Sequence, residues 1–203
     1  KPFFDVFTLP RNGPPGLPPE SSWWLERAGA QLIVHDTNQT KTRLRELSVP
    51  WHTETARRPA TFRLVFQHHV MYSSGPGYQQ QPAGSLRALL APVYTATGVD
   101  IVFNGHDHLY ERTRPIGGVV YVTTGAGGAE LYERHHTNAF TLAFVNDRHS
   151  YTHVEVRGRT LLLRQTDAEG RGIDALAITK PVVASDALRA FAASGSPPRG
   201  WEE

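Results

Sequence analysis

The sequence contains no cysteine, which rules out disulfides and thiolate metal sites and leaves only nitrogen and oxygen ligands for any metal. It also lacks an uninterrupted apolar stretch near the ~20 residues that a helix needs to cross a bilayer, so no membrane partner is expected. Neither sign of charge dominates. The 21 Lys and Arg stand against 19 Asp and Glu, and the arginines are scattered, so nothing tracks a nucleic-acid backbone. No internal repeat is present. The opening Lys1-Pro2-Phe3-Phe4 lacks the charged and then apolar regions of a signal peptide, and a chain that was processed or cut is expected.

What is present suits one domain with a real core: 203 residues with a hydrophobic fraction of 39%. Prolines and glycines between Leu9 and Pro19 dictate a long surface loop. Trp23 to Leu25 and Gln31 to Val34 read as two strands joined at Ala28-Gly29. Lys41 to Leu47 has helical composition, and Pro50 is expected to stop it. Thr61 to Gln67 reads as a buried strand that delivers His68 and His69 at its end. Ser85 to Thr97 carries apolar residues at helical spacing, is disturbed near Pro92 and is capped by Gly98. Val99 to Phe103 and Val119 to Thr123 are two further buried strands. From Tyr151 the pattern becomes an antiparallel meander through Ile178. Residues 1–183 form the domain on this reading, and a tail with a turn or two of helix follows over 184–203.

The chemistry concentrates at strand ends. Gly105-His106-Asp107-His108 puts two imidazoles two residues apart, with the glycine expected to let the backbone turn sharply. His68 ends a separate strand, and ligands at the carboxyl ends of neighbouring strands are how layered sheets build sites. Imidazoles favour zinc, iron or manganese over calcium or magnesium. His135 and His136 read as residues of a polar stretch, and Gly125 to Gly128 as a tight turn beside the site.

Two segments carry a resemblance. Phe66-Gln67-His68-His69-Val70-Met71-Tyr72-Ser73-Ser74 and Gly105-His106-Asp107-His108-Leu109-Tyr110-Glu111-Arg112-Thr113 resemble signature segments of purple acid phosphatases, in the calcineurin-like metallophosphoesterase superfamily. Val70 stands where that family usually has proline, which removes no ligand. The resemblance continues through Gly118 to Gly128 and the closing hairpin with Asp174, from about Leu9 to Lys180.

The resemblance implies a four-layer α/β/β/α sandwich with its N-terminal part missing. It implies that His68 and His106 hold one metal and His108 the other, of two divalent or trivalent ions (iron, zinc or manganese) in the complete protein. His69 becomes the candidate proton donor, with Asp107, Tyr110, Glu111 and Arg112 supporting the ligands from behind. The expected activity is metal-dependent hydrolysis of a phosphomonoester, on a small molecule or a phosphoprotein, in a secreted or periplasmic setting. The family's other ligand segments precede the stretch that this chain matches, so the chain carries half of the site and is expected to be inactive alone. The alternatives are an inactive or structural fragment of the same fold, or a phosphodiesterase. Missing strands are expected to leave the strands ending at His68 and Gly105 with an uncovered edge or face.

Overall fold

The computed structural model describes residues 5–78 and 83–182, and the tail expected from residue 184 lies outside them. Ten strands form a seven-stranded sheet facing a three-stranded one. The first holds β1 (Trp23–Arg27), β2 (Ala30–His35), β3 (Phe62–Gln67), β4 (Ile101–Asn104), β5 (Tyr110–Thr113), β6 (Val120–Thr124) and β7 (Thr141–Val145), in the order β1-β2-β3-β4-β6-β5-β7. The second is the meander β8 (Ser150–Arg157), β9 (Thr160–Asp167) and β10 (Gly172–Thr179). The fold class is the α/β two-sheet sandwich that was expected. β3 and β4 are parallel neighbours and the meander forms the facing sheet.

Local chemistry accounts for most elements. Ala28 and Gly29 both adopt positive φ, 51° and 78°, as the tight turn between β1 and β2 demands. β1 is a sheet edge, and Asn12 covers part of it by donating its amide to the Trp24 carbonyl and accepting from the Trp24 N–H. The helix expected to stop at Pro50 does not. α1 (Lys41–Arg43) runs through a π-helical turn (Leu44–Ser48) into α2 (Val49–Thr55), and Pro50 sits in the first turn of α2, where a missing N–H costs nothing. α3 (Ala83–Ala96) carries Pro92 internally and ends before Gly98, whose φ is 67°.

Two cores result. Val65, Val102 and Tyr121 pack with Leu86, Leu90 and Tyr94 of α3 under the helical layer. Phe62, Leu64, Ile101 and Val122 pack against Leu161 and Leu163 of β9 between the sheets. Each fully buried side chain of this kind contributes roughly 1.5–3 kcal/mol. No described helix covers the outer face of the three-stranded sheet, and none is long and apolar enough to cross a membrane.

The sheets are stapled by Asp174 of β10. It accepts from Arg112 Nε at 2.6 Å, from the second Arg112 nitrogen at 2.9 Å, and from the Tyr110 hydroxyl at 2.7 Å. Burial pushes the Asp174 carboxyl up, but these donors outweigh it and hold it below the usual range. Arg112, expected to brace the histidine loop, braces the opposite sheet instead.

Part of the face of β3 and β4 is uncovered, where Phe66 and Phe103 line clefts, but neither strand has an open edge. β3 and β4 are internal strands, flanked by β2 and β6. β10 and β8 are the two edges of the smaller sheet, and among the described residues β8 pairs with β9 alone. Beside it the inner face of the larger sheet leaves Trp23, Leu25, Leu32, Val34 and Phe66 only half-buried. The cross-strand pairs Trp23↔Val34 and Leu25↔Leu32 put these side chains on one face.

Two stability predictions follow from the buried polar groups. Asp174→Ala strands Arg112 and the Tyr110 hydroxyl, so urea unfolding should show a loss of about 3–5 kcal/mol. The second concerns His35 and His52, buried at 3% and 0% exposure and joined Nε2 to Nδ1 at 2.9 Å. Burial lowers both, taking His52 from 6.5 to about 4, with Arg63 adding to the effect on His52 and His52 to that on His35. Between those values the unfolded chain binds more protons than the folded one, so stability is full above pH 6.5 and falls as the pH drops toward 4. At ~1.4 kcal/mol per unit, His52 alone accounts for about 3 kcal/mol across that window. A flat unfolding free energy from pH 7 to pH 4.5 would contradict a neutral buried pair.

Candidate functional site: a histidine cluster at the ends of β3 and β4

Gln67 pairs with Asn104 at the ends of parallel β3 and β4, so both chains leave the sheet at one level. Gly105 N–H then donates to the His68 carbonyl, extending the ladder by one step. His68 Nε2 lies 3.2 Å from His106 Nδ1. The His69 ring centre is 5.2 Å from each of those two rings. The turn expected at Gly105 falls one residue later: His106 adopts φ 65°, a left-handed conformation rarely taken by residues other than glycine.

The loop is held there by buried carboxylates. Asp107, 1% exposed, accepts from the Ser73 hydroxyl at 2.5 Å and from Gly77 N–H at 2.8 Å. Glu111 accepts from the Ser74 N–H and hydroxyl and from the Thr141 hydroxyl. Gly125 lets the following loop close in, since a Cβ there would lie 2.1 Å from the Asp107 carbonyl oxygen. Asp107 and Glu111 thus tie the histidine loop to the 73–77 turn.

His108 is held by a second set of contacts. Its Nδ1 lies 2.8 Å from the Glu130 carbonyl, and its ring stacks on Tyr132 at 4.1 Å. His69 meets the Thr37 hydroxyl at 2.9 Å. Thr37, 3% exposed after β2, was not anticipated; the signal was the third parallel strand ending beside β3. His135 and His136 both donate backbone N–H groups to the Ser74 carbonyl, and His136 packs on Tyr78, so neither joins the cluster.

The electrostatics are dominated by burial and by the neighbouring imidazoles. Burial lowers His68, and neighbouring His106 and His108 lower it further. His69 is likewise lowered by burial and then by His68 and His106, against a weaker upward pull from Asp36. The Asp36 carboxylate is itself engaged by Asn38 N–H and the Gln39 amide.

This donor set corrects the expected binuclear centre. Among the described residues no group of three or more His, Cys, Asp or Glu side chains is placed to hold a metal ion. The physical reason is visible in the contacts: the nearby acids Asp107 and Glu111 are consumed by the 73–77 turn, which leaves the histidines without carboxylate partners. Two metals need oxygen ligands to balance their charge, and the residues present do not supply them. The expectation of a metallophosphatase site in this chain, and of metal binding by it, is therefore not met.

Two facing sheets with a histidine loop at the carboxyl ends of parallel strands are consistent with the calcineurin-like sandwich fold. Sequence and structure comparisons both find similarity to purple acid phosphatases. Purple acid phosphatase 18 of Arabidopsis thaliana is 36% identical over 78 residues, which is 35% of this chain and 18% of that relative. Purple acid phosphatase PPD1 from yellow lupin (Lupinus luteus) seeds superposes with a TM-score of 0.70 at 20% identity, covering 81% of this chain and 34% of that one. GAP50, the anchor in the inner membrane complex of Plasmodium, gives 0.63 at 19% identity over 85% of this chain and 58% of its own. No family model matches. The chain is homologous to purple acid phosphatases and structurally similar to members of the wider superfamily, and the match spans about a fifth of the curated relative's length.

The clamp on the loop is testable. In Gly77→Ala the new Cβ would sit 2.5 Å from Asp107 Oδ1 and 2.7 Å from His106 Cδ2. A loss of about 1–3 kcal/mol and displaced His68 and His106 imidazole resonances are expected. Gly127→Ala, with nothing within 4 Å, should change neither.

Proposed function

We propose that this chain is a non-catalytic, structural module of the metallophosphoesterase sandwich. The observation that carries this reading is the donor set: a close His68–His106 pair with no carboxylate turned toward it. Hydrolysis at a binuclear centre needs metals that generate hydroxide and clamp the phosphate, and imidazoles alone leave such metals short of ligands. The fold is compatible with such a role, since GAP50, similar in fold, is described as an anchor. Where further polypeptide supplied carboxylates, His68 and His106 are the side chains we assign as this chain's contribution to a metal centre, with iron, zinc or manganese as the ions suited to imidazole. The Nδ1 bond to the Glu130 carbonyl leaves His108 Nε2 as a further nitrogen donor.

The test uses residues 1–203 as they stand. After dialysis against zinc, iron or manganese, elemental analysis should find well under stoichiometric metal, and p-nitrophenyl phosphate hydrolysis should stay at the uncatalysed rate. Retention of two metals per chain with turnover would sink the reading.

A further inference from the structure

A cavity of about 530 Å³ opens between the proline-rich loop, β1 and the end of α2, lined by Asn12, Trp24, Trp51, Glu54, Arg57 and Arg58 among others. None of these residues takes part in the histidine site.

Two indoles and an arginine without an acid give the cavity its character. Trp51 Nε1 donates to the Asn12 carbonyl at 2.9 Å, and the Asn12 amide in turn holds the Trp24 backbone, so one loop residue fixes both tryptophans. Both indoles are only half-buried against the helical core. The Arg58 guanidinium rests 4.4 Å from the Trp24 ring centre, and among the described residues it meets no carboxylate. Arg57 pairs with Glu54 at 2.7 Å, but both side chains are more than 70% exposed, where an ion pair contributes little. Such a cavity suits an aromatic ring that carries negative charge, the ring lying on indole and the anion meeting guanidinium.

This chain contains that chemistry itself. Residues 183–203 lie outside the described residues, and they include Trp201-Glu202-Glu203, an indole followed directly by two carboxylates. The described part of the chain leads toward the cavity. Lys180 follows β10, and its Nζ meets one oxygen of Asp100 at 2.5 Å. The other Asp100 oxygen accepts from Arg63 N–H at 2.9 Å, and the Arg63 guanidinium donates to the Arg58 carbonyl at 2.7 Å. Three contacts thus connect the strand that precedes the segment with the rim of the cavity. At up to ~3.6 Å per residue, the stretch from Lys180 to Trp201 is long enough for the approach. Tethering also gives a segment an effective concentration on the order of 1 mM at a site its linker can span, an advantage that no free partner shares.

We propose that Trp201, Glu202 and Glu203 dock in this cavity within the same chain, with the indole against Trp24 and Trp51 and the carboxylates on Arg57 and Arg58. The docking covers both tryptophans and ties the segment to β1, an edge of the larger sheet. The test labels residues 1–203 with 5-fluorotryptophan, which gives one fluorine resonance each for Trp23, Trp24, Trp51 and Trp201. The Trp201 line should lie away from that of a free peptide of residues 196–203. Trp201→Ala should move the Trp24 and Trp51 lines and leave Trp23, on the opposite face of β1, in place. Adding the peptide to that variant should restore both lines. Glu202→Gln together with Glu203→Gln in the peptide, or Arg58→Glu in the chain, should weaken that binding about tenfold or more, with circular dichroism unchanged.

A Trp201 line that coincides with the free peptide's would overturn the proposal, as would Trp24 and Trp51 lines indifferent to Trp201→Ala. So would shifts that disappear on dilution, which assign the segment to a second copy, or binding that ignores both charge changes. These readouts involve neither metal nor turnover. An undocked segment therefore refutes this proposal alone, whereas a metal-loaded, active chain refutes the structural reading and leaves the docking untouched.

Discussion

The parallel register of β3 and β4 is the constraint on which the site depends. Because Gln67 and Asn104 end their strands opposite one another, His68 and His106 emerge at one height and their ring nitrogens approach to 3.2 Å. A shift of one residue in that pairing would exchange the strand's two faces between the two cores and separate the rings. Apolar side chains enforce the register: Leu64 and Phe66 on one face and Val65 on the other each meet a different core.

Holding two imidazoles this close needs buttressing, and the buried acids provide it. Asp107 and Glu111 each tie the Ser73–Gly77 turn to the strand or loop behind the histidines. Both are 1% exposed, so their charge is compensated only by the donors they accept from. Acids so committed cannot also serve as ligands. The rigidity of the histidine loop and its shortage of anionic donors therefore have one cause.

The legible parts of the sequence were those where apolar periodicity carried the information. β3, β4, β6 and the meander bury hydrophobic side chains on schedule, and the Ala28-Gly29 turn declared the first hairpin. β5 was missed because Tyr110, Glu111, Arg112 and Thr113 look like a polar loop. They form a buried strand only because Asp174, Ser74 and Thr141 supply partners 62, 37 and 30 residues away. Long-range satisfaction of polar groups leaves no local pattern. The same limit hid Thr37 beside His69, and the contacts of His108 with Glu130 and Tyr132. Pro50 misled for a different reason, since proline breaks a helix interior but is tolerated in a first turn.

The uncovered sheet face and the incomplete donor set meet in the same place. The larger cleft is lined by Phe66 and Phe103 and also by His68 and Gly105, so the apolar surface runs directly into the histidine pair.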